Sequence, residues 1–207
     1  DTSYIVSSKA RITTNKTRII SRSQQMMRLD AEVTRDLDVA EEMALLEKTA
    51  AYIRYEQPDA IIFEDYNKGV LTENVISKIV ELCKQNGIIT AVDPKRKNFF
   101  SYQGVDIFKP NLKEVKEGLN LLTDEVSEPV LQNIHRELSK RLSHKISFIT
   151  LSEKGVFCQE ENHGFIIPSH IRNIADVSGA GDTVIAVASL VYAATKNVKL
   201  MAGIANI

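Results

Sequence analysis

Along the chain, apolar positions recur at a helical period and then crowd into short strand-like runs, over and over from Leu37 onward. Val39, Met43, Leu46, Ala50 and Ile53 fall on one helical face, and Asp38 with Glu41 forms a capping box ahead of them. Gln57-Pro58 ends that helix, and the compact run Ala60-Ile61-Ile62-Phe63 predicts a buried strand that runs into polar Glu64-Asp65-Tyr66-Asn67-Lys68-Gly69. Thr72 can cap a second helix carrying Val75, Ile76, Ile79, Val80 and Cys83, closed by Gly87. A second strand, Ile88-Ile89-Thr90-Ala91-Val92, leads straight into Asp93-Pro94-Lys95. The series continues with a strand at 106–109, a turn at Pro110-Asn111 and a short helix. A helix from Ser127 follows, with Pro129 in its first turn and Val130, Leu131, Ile134, Leu138 and Leu142 inward, and then strands at 145–151 and 155–159. Repeated strand–helix–strand units with apolar strands predict an α/β fold: a mainly parallel sheet flanked by helices. Residues 1–36 differ. They are polar and rich in Ser, Thr and Arg, with short pieces at Tyr4-Ile5-Val6 and Thr17-Arg18-Ile19-Ile20, which predicts a small β segment with one side in solvent. The expected division is therefore 1–36 and 37–207.

Composition narrows the partners more than the fold. With 43% hydrophobic and 26% charged residues the chain is an ordinary globular sequence. Its 26 basic and 27 acidic side chains leave a net charge of −1, so no overall field draws it to nucleic acid or to an anionic membrane. No run is long and apolar enough to span a bilayer as a helix. Cys83 and Cys158 have no Cys or His neighbour at metal-ligand spacing, which fits two reduced thiols of a cytoplasmic protein. His135, His144, His163 and His170 are scattered and suggest no metal cluster by spacing. The first residue is not Met and the last residues lie inside an apolar pattern, so the sequence reads as a fragment truncated at both ends.

Candidate chemistry concentrates in Asp176-Val177-Ser178-Gly179-Ala180-Gly181-Asp182-Thr183, followed by small and apolar residues from Val184 to Ala194. A helix apolar all round is expected to be buried, which would hold its first turn rigidly. Gly179 and Gly181 allow close backbone approach, and a helix N-terminus favours anionic oxygens. An acid in that turn is placed to take a proton while the amides stabilise transferred phosphoryl charge. A plain helix start after a turn would look similar. The segment lacks the Gly-Lys-Ser/Thr ending of a Walker loop, and Val184 stands where a dinucleotide fingerprint has its third Gly. In open α/β sheets ligands lie at the carboxyl ends of strands, where Asp65, Lys68, Asp93, Lys95, Asn111 and Glu114 gather.

Asp-Val-Ser-Gly-Ala-Gly-Asp-Thr at 176–183 resembles the C-terminal signature of the ribokinase-like (PfkB) carbohydrate kinases. Three further segments match in that family's order. Pro110-Asn111-x-x-Glu114 is similar to its Asn-x-x-Glu motif, and Thr150-Leu151-Ser152-Glu153-Lys154-Gly155 to its nucleotide-binding loop. Asn206 falls where an asparagine closes on adenine. The resemblance implies a ribokinase-like fold with a β lid over the sugar, residues 1–36 being lid and sugar-binding segment and 37–207 the kinase core. It implies Asp182 as general base, the amides of Gly179, Ala180 and Gly181 as anion hole, and ATP with Mg²⁺ as cofactors. Asn111 and Glu114 would act near the phosphates and Mg²⁺, the glutamate through water. Thr150, Ser152, Gly155 and Asn206 would line the ATP site, with Ser152 a departure because glycine is commoner there. Asp176 and Val177 match the family's monovalent-cation loop, which implies K⁺. The lid often mediates dimerisation, so a homodimer is expected. The family's N-terminal part, with a glycine-rich sugar-binding turn, is absent from residues 1–207, and these residues alone are expected not to turn over.

The front half resembles one branch of that family more closely. Asn15-Lys16-Thr17-Arg18 and Gln24-Gln25-x-x-Arg28-Leu29-Asp30-x-Glu32 are similar to the bacterial heptose 7-phosphate kinases of ADP-heptose synthesis, as are Asp65-Tyr66-x-Lys68-Gly69 and Asp93-Pro94-Lys95. Substrate contacts are thereby implied for Lys16, Arg18, Arg28, Asp65, Lys68 and Lys95, the cations suiting a sugar that already bears a phosphate. On the residues alone, Lys16 and Arg18 could equally form a solvated strand face. Glu64 has no implied role and stands where related kinases usually carry a small residue. Two alternatives stay open: another sugar or sugar-phosphate kinase of the same family, or a non-catalytic nucleotide- or sugar-phosphate-binding module.

Overall fold

A computed structural model describes residues 2–22, 24–122, 125–169 and 179–206. The N-terminal segment forms an antiparallel ribbon, β1 (Asn15–Ser21) and β2 (Gln24–Ala31), with every residue of both strands exposed. Its register sets Lys16 opposite Asp30 and Arg18 opposite Arg28, so the cations share one face. The alternate positions Thr17, Ile19, Met27 and Leu29 make the other face. Tyr4-Ile5-Val6, expected as strand, is not one. Tyr4 instead lies edge-on to Tyr52 at 5.1 Å and donates its hydroxyl to Glu56 at 2.9 Å, so side-chain docking replaces a ladder.

The core is a six-stranded sheet in sequence order: β3 (Ala60–Glu64), β4 (Ile89–Asp93), β5 (Ile107–Phe108), β6 (Ile146–Thr150), β7 (Val156–Glu160) and β8 (His163–Ile167). The pairings β3–β4–β5–β6 are parallel, and β6–β7–β8 are antiparallel. Strand β8 was not expected. A two-residue turn at Glu161-Asn162, with Glu161 at φ 50°, returns the chain without the glycine that usually announces such a hairpin.

Helices cover both faces. On one lie α1 (Val39–Glu56), α2 (Glu73–Gln85), α3 (Leu112–Leu119) and α4 (Glu128–Leu142), packed through Ile53, Val75, Ile76, Val115, Leu131 and Leu138. On the other lie α5 (Ala180–Thr195) and α6 (Val198–Ala205), packed through Ile185, Ala188, Tyr192, Met201 and Ala202. Strand β4 serves both layers by alternation, with Val92 facing the first and Ile89 and Ala91 the second. Each large apolar side chain buried there, such as Ile76 or Phe108, contributes roughly 1.5–3 kcal/mol.

The expected capping box on α1 forms: Asp38 accepts from Glu41 N, and Glu41 accepts from Asp38 N. Val39 and Met43, expected inward, are exposed instead, because that end of α1 meets polar chain: Glu41 bonds Ser8 and Arg35. The inward stripe begins further along with Leu45 and Leu46, which are partly buried, and reaches the core at Ile53. All five expected positions of α2 are buried beneath the Thr72 cap. Helix α5 is not buried all round; it anchors through Ile185, Ala188, Ser189 and Tyr192 while Leu190 is 69% exposed. One apolar face on the sheet suffices to hold it.

Candidate active site

The chemistry gathers where β3 and β4 end and α5 begins. Gly179 is the N-cap of α5 at φ 78°, a left-handed conformation that glycine adopts freely. The first internal bond of the helix runs from Thr183 N to Gly179 O at 2.9 Å, so the amides of Ala180, Gly181 and Asp182 stand ahead of the ladder at its positive end. Asp182 is exposed in that first turn. A Cβ built on Gly181 would sit 3.5 Å from Asp93 Oδ2 and 3.7 Å from Lys109 Nζ, which puts the helix start directly against the end of β4.

Parallel pairing sets Glu64 beside Asp93, and one oxygen from each of Glu64, Asp93 and Asp182 lies within 4.8 Å of the others. Burial, followed by the negative charges of Asp93 and Asp182, pushes the Glu64 carboxyl up. Asp93 is held by two cations, Lys95 at 3.1 Å and Lys109 at 3.0 Å. Lys109 is 3% exposed, so Asp93 is what makes its burial tolerable. Burial works against the Lys95 ammonium, but Glu114 and Asp93 outweigh it and hold that ammonium above its usual range.

From Lys95 the polar chain continues. Lys95 Nζ donates to Glu114 Oε1 at 2.6 Å, while Glu114 Oε2 accepts from Asn111 N at 2.8 Å and Asn111 Oδ1 from Glu114 N at 2.8 Å. That capping box starts α3, and Asn111 in turn bridges to Thr150 at the end of β6. At the other end Tyr66 donates its hydroxyl to Asp182 Oδ2 at 2.8 Å, and Lys16 of the ribbon lies 5.6 Å over the Tyr66 ring. A continuous series of contacts therefore runs from Lys16 through Tyr66, Asp182, Asp93, Lys95, Glu114 and Asn111 to Thr150.

Other expected site residues lie elsewhere or are otherwise engaged. Asp65 is 3% exposed and accepts from Tyr102 Oη at 2.8 Å, Asn98 Nδ2 at 3.4 Å and Asn67 N at 2.8 Å, so it braces the turn from within. Lys68 pairs with Glu32, and its carbonyl accepts from Arg11, which also bonds the carbonyls of Val33 and Arg35. Gly69 closes this junction: a Cβ there would fall 1.9 Å from Arg35 O. Arg28 pairs with Asp30 at 2.9 Å, and Arg18 stands opposite it in the ribbon. Ser152 and Gly155 form a tight turn after β6, at φ 58° and 93°. The left-handed backbone at 152 is a physical reason for glycine to be commoner there. Asn206 Nδ2 donates to Pro168 O at 2.9 Å. Asp176 and Val177 lie outside the described residues. Tyr66 and Lys109 were not expected in the site from the sequence, and Glu64 was noted there only as a departure without a role. Lys109, just before Pro110 at a strand end, is the one its position could have flagged.

The profile of the pfkB family carbohydrate kinases matches residues 1–206. The chain belongs to that family. Its curated PfkB relatives include the Bifunctional protein HldE of Sulfurimonas denitrificans, 34% identical over 204 residues and matched across 98% of this chain and 42% of its own length. The protein of the same name in Wolinella succinogenes is 39% identical over 193 residues, covering 91% and 38%. The chain thus spans about 42% of the length of the first of these relatives. Among solved PfkB-type folds, phosphofructokinase-2 from Escherichia coli in complex with potassium superposes with TM-score 0.69 at 14% identity, covering 86% of this chain and 58% of that one. Arabidopsis thaliana ribokinase complexed with ribose and ATP gives 0.69 at 14%, covering 95% and 61%. The fold is ribokinase-like, as the strand–helix pattern and the motifs led one to expect. Among the described residues no helix is long and apolar enough to cross a membrane.

Proposed function

We propose that the protein transfers the γ-phosphoryl group of ATP to the anomeric hydroxyl of a heptose 7-phosphate, in the synthesis of ADP-heptose for surface glycans. One observation carries the reading: an exposed carboxylate, Asp182, in the first turn of α5 beside amides ahead of its ladder. Asp182 Oδ2 is engaged by Tyr66, and among the described residues nothing donates to Oδ1, which is left to withdraw the proton of the sugar hydroxyl. The amides of Gly179, Ala180 and Gly181 then offset charge on the transferring group. The curated relatives named HldE, at 34% identity across nearly the whole chain, support the heptose substrate.

ATP would lie along the turn of Thr150, Ser152 and Gly155, toward Asn206. Hard oxygen donors suit a magnesium ion, and it supplies charge neutralisation between the phosphates when bound. Both Glu114 oxygens are already engaged, so that residue fits a contact to the ion through water rather than direct ligation. The potassium in the phosphofructokinase-2 structure supports a monovalent-cation requirement. Lys16, Arg18 and Arg28 on one face of the ribbon would grip the sugar's own phosphate, Lys68 and Lys95 would reach its hydroxyls, and Asp65 would act through the turn it braces. The ribbon's other face, with Ile19, Met27 and Leu29 at 45%, 53% and 54% exposure, supports a homodimer through the lid. ATP as co-substrate supports a cytoplasmic location.

The test is product analysis with the intact protein, offered heptose 7-phosphate, fructose 6-phosphate and ribose. Preference for the heptose is expected; equal or better use of another sugar would replace the substrate, and ATP binding with no turnover on any would favour a binding module. Asp182→Asn is expected to lose at least about 1,000-fold in kcat while still binding ATP. Near wild-type turnover would remove Asp182 from the role.

A further inference from the structure

We propose that Tyr66 is a positioning residue that holds Asp182 in its productive orientation and couples it to the lid. The inference rests on Asp182 being the base and adds what sets its direction. The hydroxyl of Tyr66 reaches Asp182 Oδ2 at 2.8 Å, and the ring of the same residue carries the lid's Lys16, 5.6 Å from the centroid. Among the hydrogen bonds and ring contacts of the described residues, no other side chain joins the base to the ribbon.

Tyr66 can act as a fixed point because the turn that carries it is rigid. The preceding residue, Asp65, continues the β3–β4 ladder by donating its N–H to Asp93 O at 3.3 Å. Its buried carboxylate is gripped by Tyr102, Asn98 and the Asn67 amide. Past Tyr66 the chain takes a left-handed step at Asn67, φ 56°, and closes at Gly69 against the Arg35 carbonyl. A phenol on such a mount pins one oxygen of Asp182 and leaves its partner oxygen without a donor among the described residues. The hydrogen bond to Asp182, aided by burial, pushes the Tyr66 hydroxyl up to about 12, so it keeps its proton and serves only as donor.

The lid contact adds the coupling. A lysine over an aromatic face is attracted by the ring's negative face, about 0.5–1 kcal/mol at an exposed site. When the ribbon comes down on a sugar phosphate, Lys16 presses on the ring whose hydroxyl aims the base. An open lid removes that support, so the base is best aimed only when sugar is enclosed.

The experiment uses the intact protein and the variants Tyr66→Phe, Tyr66→Leu and Asp182→Asn, with ATP and heptose 7-phosphate. Tyr66→Phe keeps the ring and loses the donor: kcat should fall about tenfold while KM for both substrates holds, because only the aim of the carboxylate changes. Tyr66→Leu should show the same loss in kcat and also a raised KM for the sugar phosphate, since Lys16 loses its ring. Wild-type kcat in Tyr66→Phe, beside an inactive Asp182→Asn, would overturn the proposal while sparing the base. An active Asp182→Asn would overturn the base assignment and this proposal together. Tyr66 is 47% exposed, so both substitutions are expected to fold, and unchanged melting temperatures check this.

Discussion

Lowering the pH from 7 to 5 should strip stability from this protein through His144. The ring is 4% exposed and lies between Phe108, 5.5 Å away, and His135, 5.6 Å away. Burial, followed by the positive charge His135 can carry, depresses its pKa from 6.5 to about 3. The bond network assigns the tautomers. His135 donates to the backbone carbonyl of Glu161, which leaves its Nδ1 to accept the Ser147 hydroxyl at 2.9 Å. The Ser147 oxygen then accepts from His144 Nε2–H at 2.6 Å, and His144 Nδ1 is left as a buried acceptor without a partner among the described residues. A proton added there would bring a charge with nothing to receive it. Because the folded pKa lies below the unfolded one, the unfolded chain binds the extra proton. Stability is therefore full above pH 6.5, falls as the pH drops below it, and levels off only near 3. At pH 5 the two values imply a loss of about 2 kcal/mol. Urea unfolding at both pH values measures it, run beside His144→Gln, whose amide keeps a donor near Nε2 but cannot take up a proton. The wild type should lose about 2 kcal/mol more than the variant between pH 7 and 5. Equal losses would refute a neutral imidazole at this position.

Two further substitutions test the loops and the lid. Ser152→Gly relieves a left-handed residue at φ 58° and should stabilise the protein by about 0.5 kcal/mol after the added entropy of an unfolded glycine, read as a small rise in Tm; an unchanged or lower Tm would argue against strain there. Arg28→Gln removes one of two arginines set directly opposite in the ribbon, so KM for the phosphorylated sugar should rise about tenfold while KM for ATP holds; equal shifts in both constants would detach Arg28 from the sugar phosphate.

Much of this was legible because the relevant signals are local. The inward face of α2 and its Thr72 cap follow from five apolar residues at one period and one hydroxyl. The parallel pairing of β3 with β4 and of β5 with β6 follows from the helices between them, whereas β4 and β5 are joined by a loop with one short turn at Arg96–Asn98. Local signals fail where a residue's surroundings are set by distant chain. Asp65 looks like a ligand-facing acid at a strand end, yet Tyr102 and Asn98, more than thirty residues on, turn it into an internal brace. His135 and His144 look scattered and meet on one serine, because α4 and the loop after it fold back over β6. The role of Tyr66 depends on a carboxylate 116 positions away.

The arrangement around Asp182 also explains why three carboxylates can share so small a space. Unopposed, like charges within 4.8 Å would drive protons onto the group and make a poor base. Here the repulsion falls unevenly. Asp93 has two lysines at hydrogen-bond distance, and Asp182 has a phenol donor and the positive end of a helix. Glu64 has no donor among the described residues and is the carboxyl pushed up by its neighbours. The three carboxylates are therefore supported unequally, and that inequality comes from the two lysines and one tyrosine that the strand ends place around them.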